Sequence, residues 1–154
     1  AGPTNHIVLV HASALELVRL FGRGDEGLTR PRPVLLCDDR PESMTHAYAA
    51  LKILAQRSEW LTHDLLVSAA PDSQQARAVA DRLGHCVDLF LGGVQRSWVQ
   101  VDPAERACAA PSPELGELVR GLVSAAARYS ATDSQFAALA RGAALPASPF
   151  NSMN

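Results

Sequence analysis

Pro33-Val34-Leu35-Leu36-Cys37-Asp38-Asp39-Arg40-Pro41-Glu42-Ser43-Met44 decides the fold. From Val34 to Cys37 the chain is uninterruptedly apolar, the pattern of a strand covered on both faces. Asp38 and Asp39 end the run. Pro41 then presets the backbone for a first helical turn. Beyond it Met44, Ala47, Tyr48, Leu51 and Leu54 recur at i, i+3, i+4, i+7 and i+10, one face of an amphipathic helix reaching about Trp60. A buried strand running directly into such a helix is the first half of a strand–helix–strand unit.

The same grammar repeats on either side. Asp64-Leu65-Leu66-Val67-Ser68 reads as a strand, Ala69 to Asp72 as a turn, and Asp72 or Ser73 as the cap of a helix over 74–91. Ala76, Val79, Ala80, Leu83, Val87 and Phe90 form its stripe, and Gly92-Gly93 closes it. Ser97-Trp98-Val99-Gln100-Val101 alternates like a strand and stops at Asp102-Pro103. Pro113 opens a helix over about 114–129, striped by Leu115, Leu118, Val119, Leu122 and Val123, and 133–144 reads as a short final helix. Upstream, His6-Ile7-Val8-Leu9-Val10 reads as a strand. Ser13 stands at an N-cap, with Leu15, Leu17, Val18 and Phe21 at helical spacing up to Gly22. The glycines and prolines of 22–33 mark a loop.

Strands alternating with helices predict a three-layer α/β fold: a mainly parallel sheet of four strands with helices on both faces. One domain over 1–145 and a tail over 146–154 are expected. Four strands make a small sheet for a complete doubly wound domain, so either a fragment or pairing with a second copy is anticipated.

Composition narrows the function. The 154 residues are 47% apolar and carry a net charge of −2, which supports a packed core and offers no nucleic-acid footprint. Cys37, Cys86 and Cys108 form no disulfide framework, consistent with a reduced cytoplasmic compartment. No apolar run reaches the roughly 18–20 residues of a membrane span, and no signal peptide opens the chain.

Lys52 is the sole lysine, and it falls well inside a predicted helix with no glycine run before it, unlike a phosphate loop. Gly22-Arg23-Gly24-Asp25-Glu26-Gly27 matches a dinucleotide fingerprint in letters, yet it follows a helix and carries two acids, so a solvated turn is expected. His6, His11, His46, His63 and His85 lack metal-ligand spacing. Cys37 sits beside Asp38 and Asp39, whose charges disfavour a thiolate, so it reads as a small core residue. Arg23-Gly24-Asp25 is read as a chance tripeptide, and Arg30-Pro31-Arg32 as a basic spot balanced by nearby acids. Asp38, Asp39 and Asp102 fall at C-terminal strand ends, where open α/β sheets place ligands, and form the candidate polar site.

The stretch Leu36-Cys37-Asp38-Asp39-Arg40-Pro41-Glu42-Ser43-Met44-Thr45-His46-Ala47-Tyr48-Ala49-Ala50-Leu51-Lys52 resembles a segment of MinD/ParA-like ATPases, chiefly the FlhG/FleN branch that governs flagellar number. The proline, the threonine, the Ala-Tyr-Ala and the trailing lysine fall in register. Leu65-Leu66-Val67-Ser68, the segment from Ser73 to Gly92, and Trp98-Val99-Gln100-Val101-Asp102-Pro103 are similar to later parts of that family, so the resemblance spans about residues 6–125. It implies a SIMIBI-type fold without the front part that bears the Walker A loop. His11 stands where the family's Walker B strand ends in aspartate, and Ser68 where an asparagine reads the base. His11, Ser68 and Asp102 are thus remnants of a nucleotide site. The resemblance implies a C-terminal fragment or a member that has lost ATP, and the changes at His11 and Ser68 favour loss.

On that footing the expected function is a non-enzymatic regulatory or scaffolding domain in flagellar or polar surface assembly. It would use no cofactor, with ATP and magnesium relevant only if an upstream segment is missing. It would act through protein contacts, a homodimer among them, with an amphipathic face on helix 114–129 or 133–144. Neither nucleic acid nor membrane is an expected partner. An accessory role in secretion of a cellulose-type polymer, and a small enzyme built on Asp38, Asp39 and Asp102, are the alternatives.

Overall fold

The computed structural model describes residues 8–21, 32–106 and 109–126. Its elements are α1 (Ala14–Phe21), β1 (Val34–Asp38), α2 (Pro41–Ser58), β2 (Thr62–Ser68), α3 (Gln74–Leu91), β3 (Val94–Val101) and α4 (Pro113–Ala126). The strands form one parallel sheet in the order β1-β2-β3. The fold is therefore α/β with a parallel sheet, as the alternation of strand and helix patterns requires.

Side chains on β2 alternate between two faces, because successive residues of a strand point oppositely. Leu65 and Val67 join Leu35 and Cys37 of β1 in a buried cluster with Ala47 and Leu51 of α2 and with Ala76, Val79, Ala80, Leu83 and Val87 of α3. Each large side chain so buried stabilises the fold by about 1.5–3 kcal/mol. The opposite face carries Asp64, Leu66 and, on β3, Val99. Here α4 lies over β3, with Leu118 buried and Leu115 and Leu122 half-buried. Helices thus cover both faces, but unequally: Leu36 of β1, on the α4 side, is 70% exposed.

The local signals explain the ends of the helices. Ser13 and Glu16 form a reciprocal capping box at α1: the Ser13 amide donates to Glu16 Oε2 at 2.8 Å, and the Glu16 amide to Ser13 Oγ at 3.4 Å. The Ser13 hydroxyl holds the Glu16 carboxyl below its usual range. Ser73, not Asp72, caps α3, accepting from the Ala76 amide, and Gly92 ends it at φ 62°. Helix α2 stops at Ser58, where Glu59 adopts the left-handed conformation at φ 54°. Trp60 then folds back to pack with Leu54 and Phe21, which docks α1 beside α2.

Four expectations change. Val8, Leu9 and Val10 form no strand and are exposed, while His6 and Ile7 lie outside the described residues. Three residues gain too little from burial unless a partner strand satisfies their backbone. The described sheet accordingly has three strands rather than four. Strand β3 begins at Val94, earlier than the alternation from Ser97 indicated, because the pairing shifts between His63/Asp64 and leaves Arg96 without a partner on β2. An extra residue of this kind breaks period two locally. Phe90 is not on the buried side of α3; it is 67% exposed in the last turn, where it borders an open groove with Met44, Thr45 and Tyr48 of α2. Of the expected loop over 22–33, residues 22–31 lie outside the described residues, as do the helix over 133–144 and the tail over 146–154.

Candidate functional site

At the C-terminal ends of the strands, Asp38, Ser68 and Val101 lie side by side in register across the sheet. Adjacent strands are about 4.8 Å apart, so Asp38 on β1 and Asp102 after β3 are separated by roughly 10 Å of sheet, with Ser68 between them. Each carboxylate has a local task. Asp38 accepts from the Arg40 backbone amide at 3.0 Å and from Arg40 Nε at 2.8 Å, and its own amide donates to Ser43 Oγ at 3.0 Å. The Arg40 hydrogen bonds hold the Asp38 carboxyl down at about 2. Asp39 accepts from Ser73 Oγ at 2.6 Å, tying the β1–α2 turn to the cap of α3. Asp102 accepts from the Ala104 amide at 2.8 Å, an Asx-type turn.

Asp38 and Asp39 are therefore neighbours, whereas Asp102 stands apart. Among the described residues no three His, Cys, Asp or Glu side chains are placed to hold a metal ion. His11 is exposed just ahead of α1, where it adds to the field on Glu16. Of the remnant trio, Ser68 and Asp102 share the strand-end rim; His11 belongs to the start of α1. Cys37 is a core residue. Burial, more than the charge of Asp38, raises its thiol to about 11, so it is protonated at neutral pH and poorly nucleophilic.

The opposite end of the sheet holds a cluster that sequence reasoning missed. His63 and Asp64 are 1% and 0% exposed. Asp64 accepts from Ser97 Oγ at 2.6 Å and pairs with Arg32 Nε at 2.5 Å. The Arg32 guanidinium runs beneath α4, where a Cβ on Gly121 would come within 3.2 Å of it. On the other face His63 stands opposite Gln95, whose amide donates to the Ala80 carbonyl of α3 at 3.3 Å. Burial lowers the His63 pKa, and the neighbouring Gln95 and Asp64 offset this in part.

The shift at Arg96 makes this arrangement possible. Without it, Gln95 and Ser97 would share one face; with it, Gln95 meets His63 under α3 while Ser97 meets Asp64 under α4. His63 and Asp64 are consecutive on β2 and point to opposite faces, so they are no catalytic dyad. A buried imidazole without access to solvent cannot exchange protons with a substrate. The cluster's chemistry is that of a pin between layers. Its one sequence signal was a His-Asp pair directly ahead of the apolar Leu65–Val67 run, and Arg32 looked like a loop charge.

These features define a parallel-sheet α/β domain whose strand-end carboxylates shape turns and whose buried charges join layers. Comparisons with models of protein families, with curated proteins and with solved structures find no match. No described helix is long and apolar enough to cross a membrane.

Proposed function

We propose that this chain is a non-enzymatic regulatory or scaffolding domain of MinD/ParA-like descent, acting in the cytoplasm through protein contacts in flagellar or polar surface assembly. The observation that carries the reading is the engagement of the strand-end carboxylates. Asp38 is held by Arg40, Asp39 by Ser73 and Asp102 by the Ala104 amide, so the rim where such sheets bind ligands is spent on local structure. The resemblance around Pro41 and Ala47-Tyr48-Ala49 supplies the family and the setting. In this reading no nucleotide is used, because the lysine that reaches phosphate in a phosphate loop is not at the rim; Lys52 is exposed on α2.

The contact surface is the outer side of α2 and α3. Met44, Thr45, Tyr48, Cys86 and Phe90 line an open groove there, and Leu89 and Phe90 are exposed beside it. The partner in this reading is a protein of the assembly that inserts an apolar side chain into the groove. Exposed aromatic residues next to a groove are the usual anchors of such contacts.

Complementation of a deletion strain tests the proposal, with flagella or surface structures counted. Phe90→Asp keeps the helical circular dichroism of the parent and fails to restore the count, whereas the triple variant Asp38→Asn/Asp39→Asn/Asp102→Asn restores it. The reverse pattern would establish the carboxylate enzyme instead. Saturable binding of magnesium-ATP by the purified chain would remove the nucleotide-free reading.

A further inference from the structure

We propose that Val8-Leu9-Val10 docks as a fourth parallel strand along the outer edge of β1. The inference stands apart from the protein-contact reading and uses a different surface.

Among the described residues no strand pairs with this edge, and it is oriented to receive one. The Asp64 amide donates to the Pro33 carbonyl. In a parallel ladder alternate residues of one strand bond to a given neighbour. Residues 33, 35 and 37 therefore face β2, and Val34 and Leu36 turn their amides and carbonyls away from it. Asp38 belongs to the same outward set, and its amide is taken by Ser43 Oγ. The Leu36 side chain, on the face α4 leaves bare, would lie beside the side chains of an added strand.

The occupant follows from the position of α1. Phe21 packs against Leu54 and Trp60, so α1 lies beside α2. Helices α2 and α3 carry the chain from β1 to β2 to β3 over one face of the sheet, each in a parallel crossover. Such crossovers are right-handed in about 98% of cases. A strand that precedes α1 and feeds β1 through that same layer keeps this hand only outside β1. The three residues between Val10 and Ala14 match the 2–6 residues typical of strand-to-helix connections. Val8, Leu9 and Val10 are consecutive apolar residues left exposed, Leu9 at 92%. Such a run and such an edge are each an association hazard, and each removes the other's.

Residue-resolved amide exchange, read by nuclear magnetic resonance at two protein concentrations, tests this. In the parent chain the Leu36 amide exchanges as slowly as that of Leu35, and cross-strand contacts join Val8 or Val10 to Leu36. In Val8→Gly/Leu9→Asp the Leu36 amide speeds up on the order of 100-fold while Leu35 and Cys37 hold their protection. Fast exchange at Leu36 in the parent overturns the proposal. So does Leu36 protection unchanged by the double variant, which assigns the edge to another segment. Protection that rises with concentration overturns it in favour of a second copy. If the variant loses protection at Leu35 and Cys37 as well, the parent's Val8–Leu36 contacts decide: present they support the docked strand, missing they refute it.

Discussion

At the C-terminal ends of the strands, Asp38, Asp39 and Asp102 sit in turns at the surface, Asp38 and Asp102 answered by residues two places on and Asp39 by Ser73. At the N-terminal ends, Asp64 and His63 are inside the molecule, and their partners come from β3 and from Arg32. The first arrangement costs little, because water solvates whatever the turn does not. The second removes a charge pair from water, and that desolvation is offset only while every partner stays in place. Loss of one group should therefore be tolerated at the rim and felt throughout the fold at the opposite end.

Asp64→Ala puts the largest strain on this contrast. It leaves the Arg32 guanidinium under α4 without its counter-charge, and the expected loss is about 3–5 kcal/mol in urea denaturation. The double variant Arg32→Met/Asp64→Leu should recover most of it, since the uncompensated charge is gone. Equal losses in the single and double variants would show that packing rather than charge sets the cost.

Gly93→Ala probes the same end through sterics. An added Cβ would lie 2.7 Å from Val87 Cγ1 and 2.9 Å from the Leu61 carbonyl oxygen. The oxygen is backbone that accepts from the Val94 amide, so it cannot yield easily. A loss of about 1–3 kcal/mol in the same denaturation measurement is expected. At the other end, Ser73→Ala removes the α3 cap and the partner of Asp39 together, and about 1 kcal/mol is expected. A Ser73→Ala loss as great as that of Asp64→Ala would erase the distinction between the ends.

The smallest effect is one of pH. Burial depresses the His63 pKa, so below the ordinary imidazole value near 6.5 the unfolded chain takes up a proton that the folded chain does not. Stability should fall as pH drops from about 6.5 through the lower folded value, and His63→Gln should flatten that slope in denaturation midpoints between about pH 7.5 and pH 5.5. Asp38, held at about 2 by Arg40, contributes its own loss only further into acid, between its unfolded value of 3.8 and about 2.

Much of the layout was legible in advance, because it depends on neighbours in the chain. Helix α3 begins and ends where Ser73 and Gly92 placed it, and Pro41 opened α2. The three aspartates were located at the strand ends, though not their partners. Asp39 meets Ser73 across 34 positions, and no spacing rule connects them. Arg32 and Asp64 were read as a loop charge and a strand boundary for the same reason. The start of β3 was hidden by Arg96, whose extra place in the strand interrupts the alternation. The helix stripe misplaced Phe90 because periodicity assigns a side to a residue without saying whether a neighbouring element closes over it.

By itself the sequence determined the order of strands and helices from α1 to α4, most of their caps and the apolar faces that had to meet, since these follow from backbone preference and periodicity over a few residues. Tertiary structure alone decided which charges would be buried together and how Gln95 and Ser97 divide between two faces. Those outcomes depend on distances between residues remote in sequence, and burial changes the energy of a charge far more than any neighbour along the chain can.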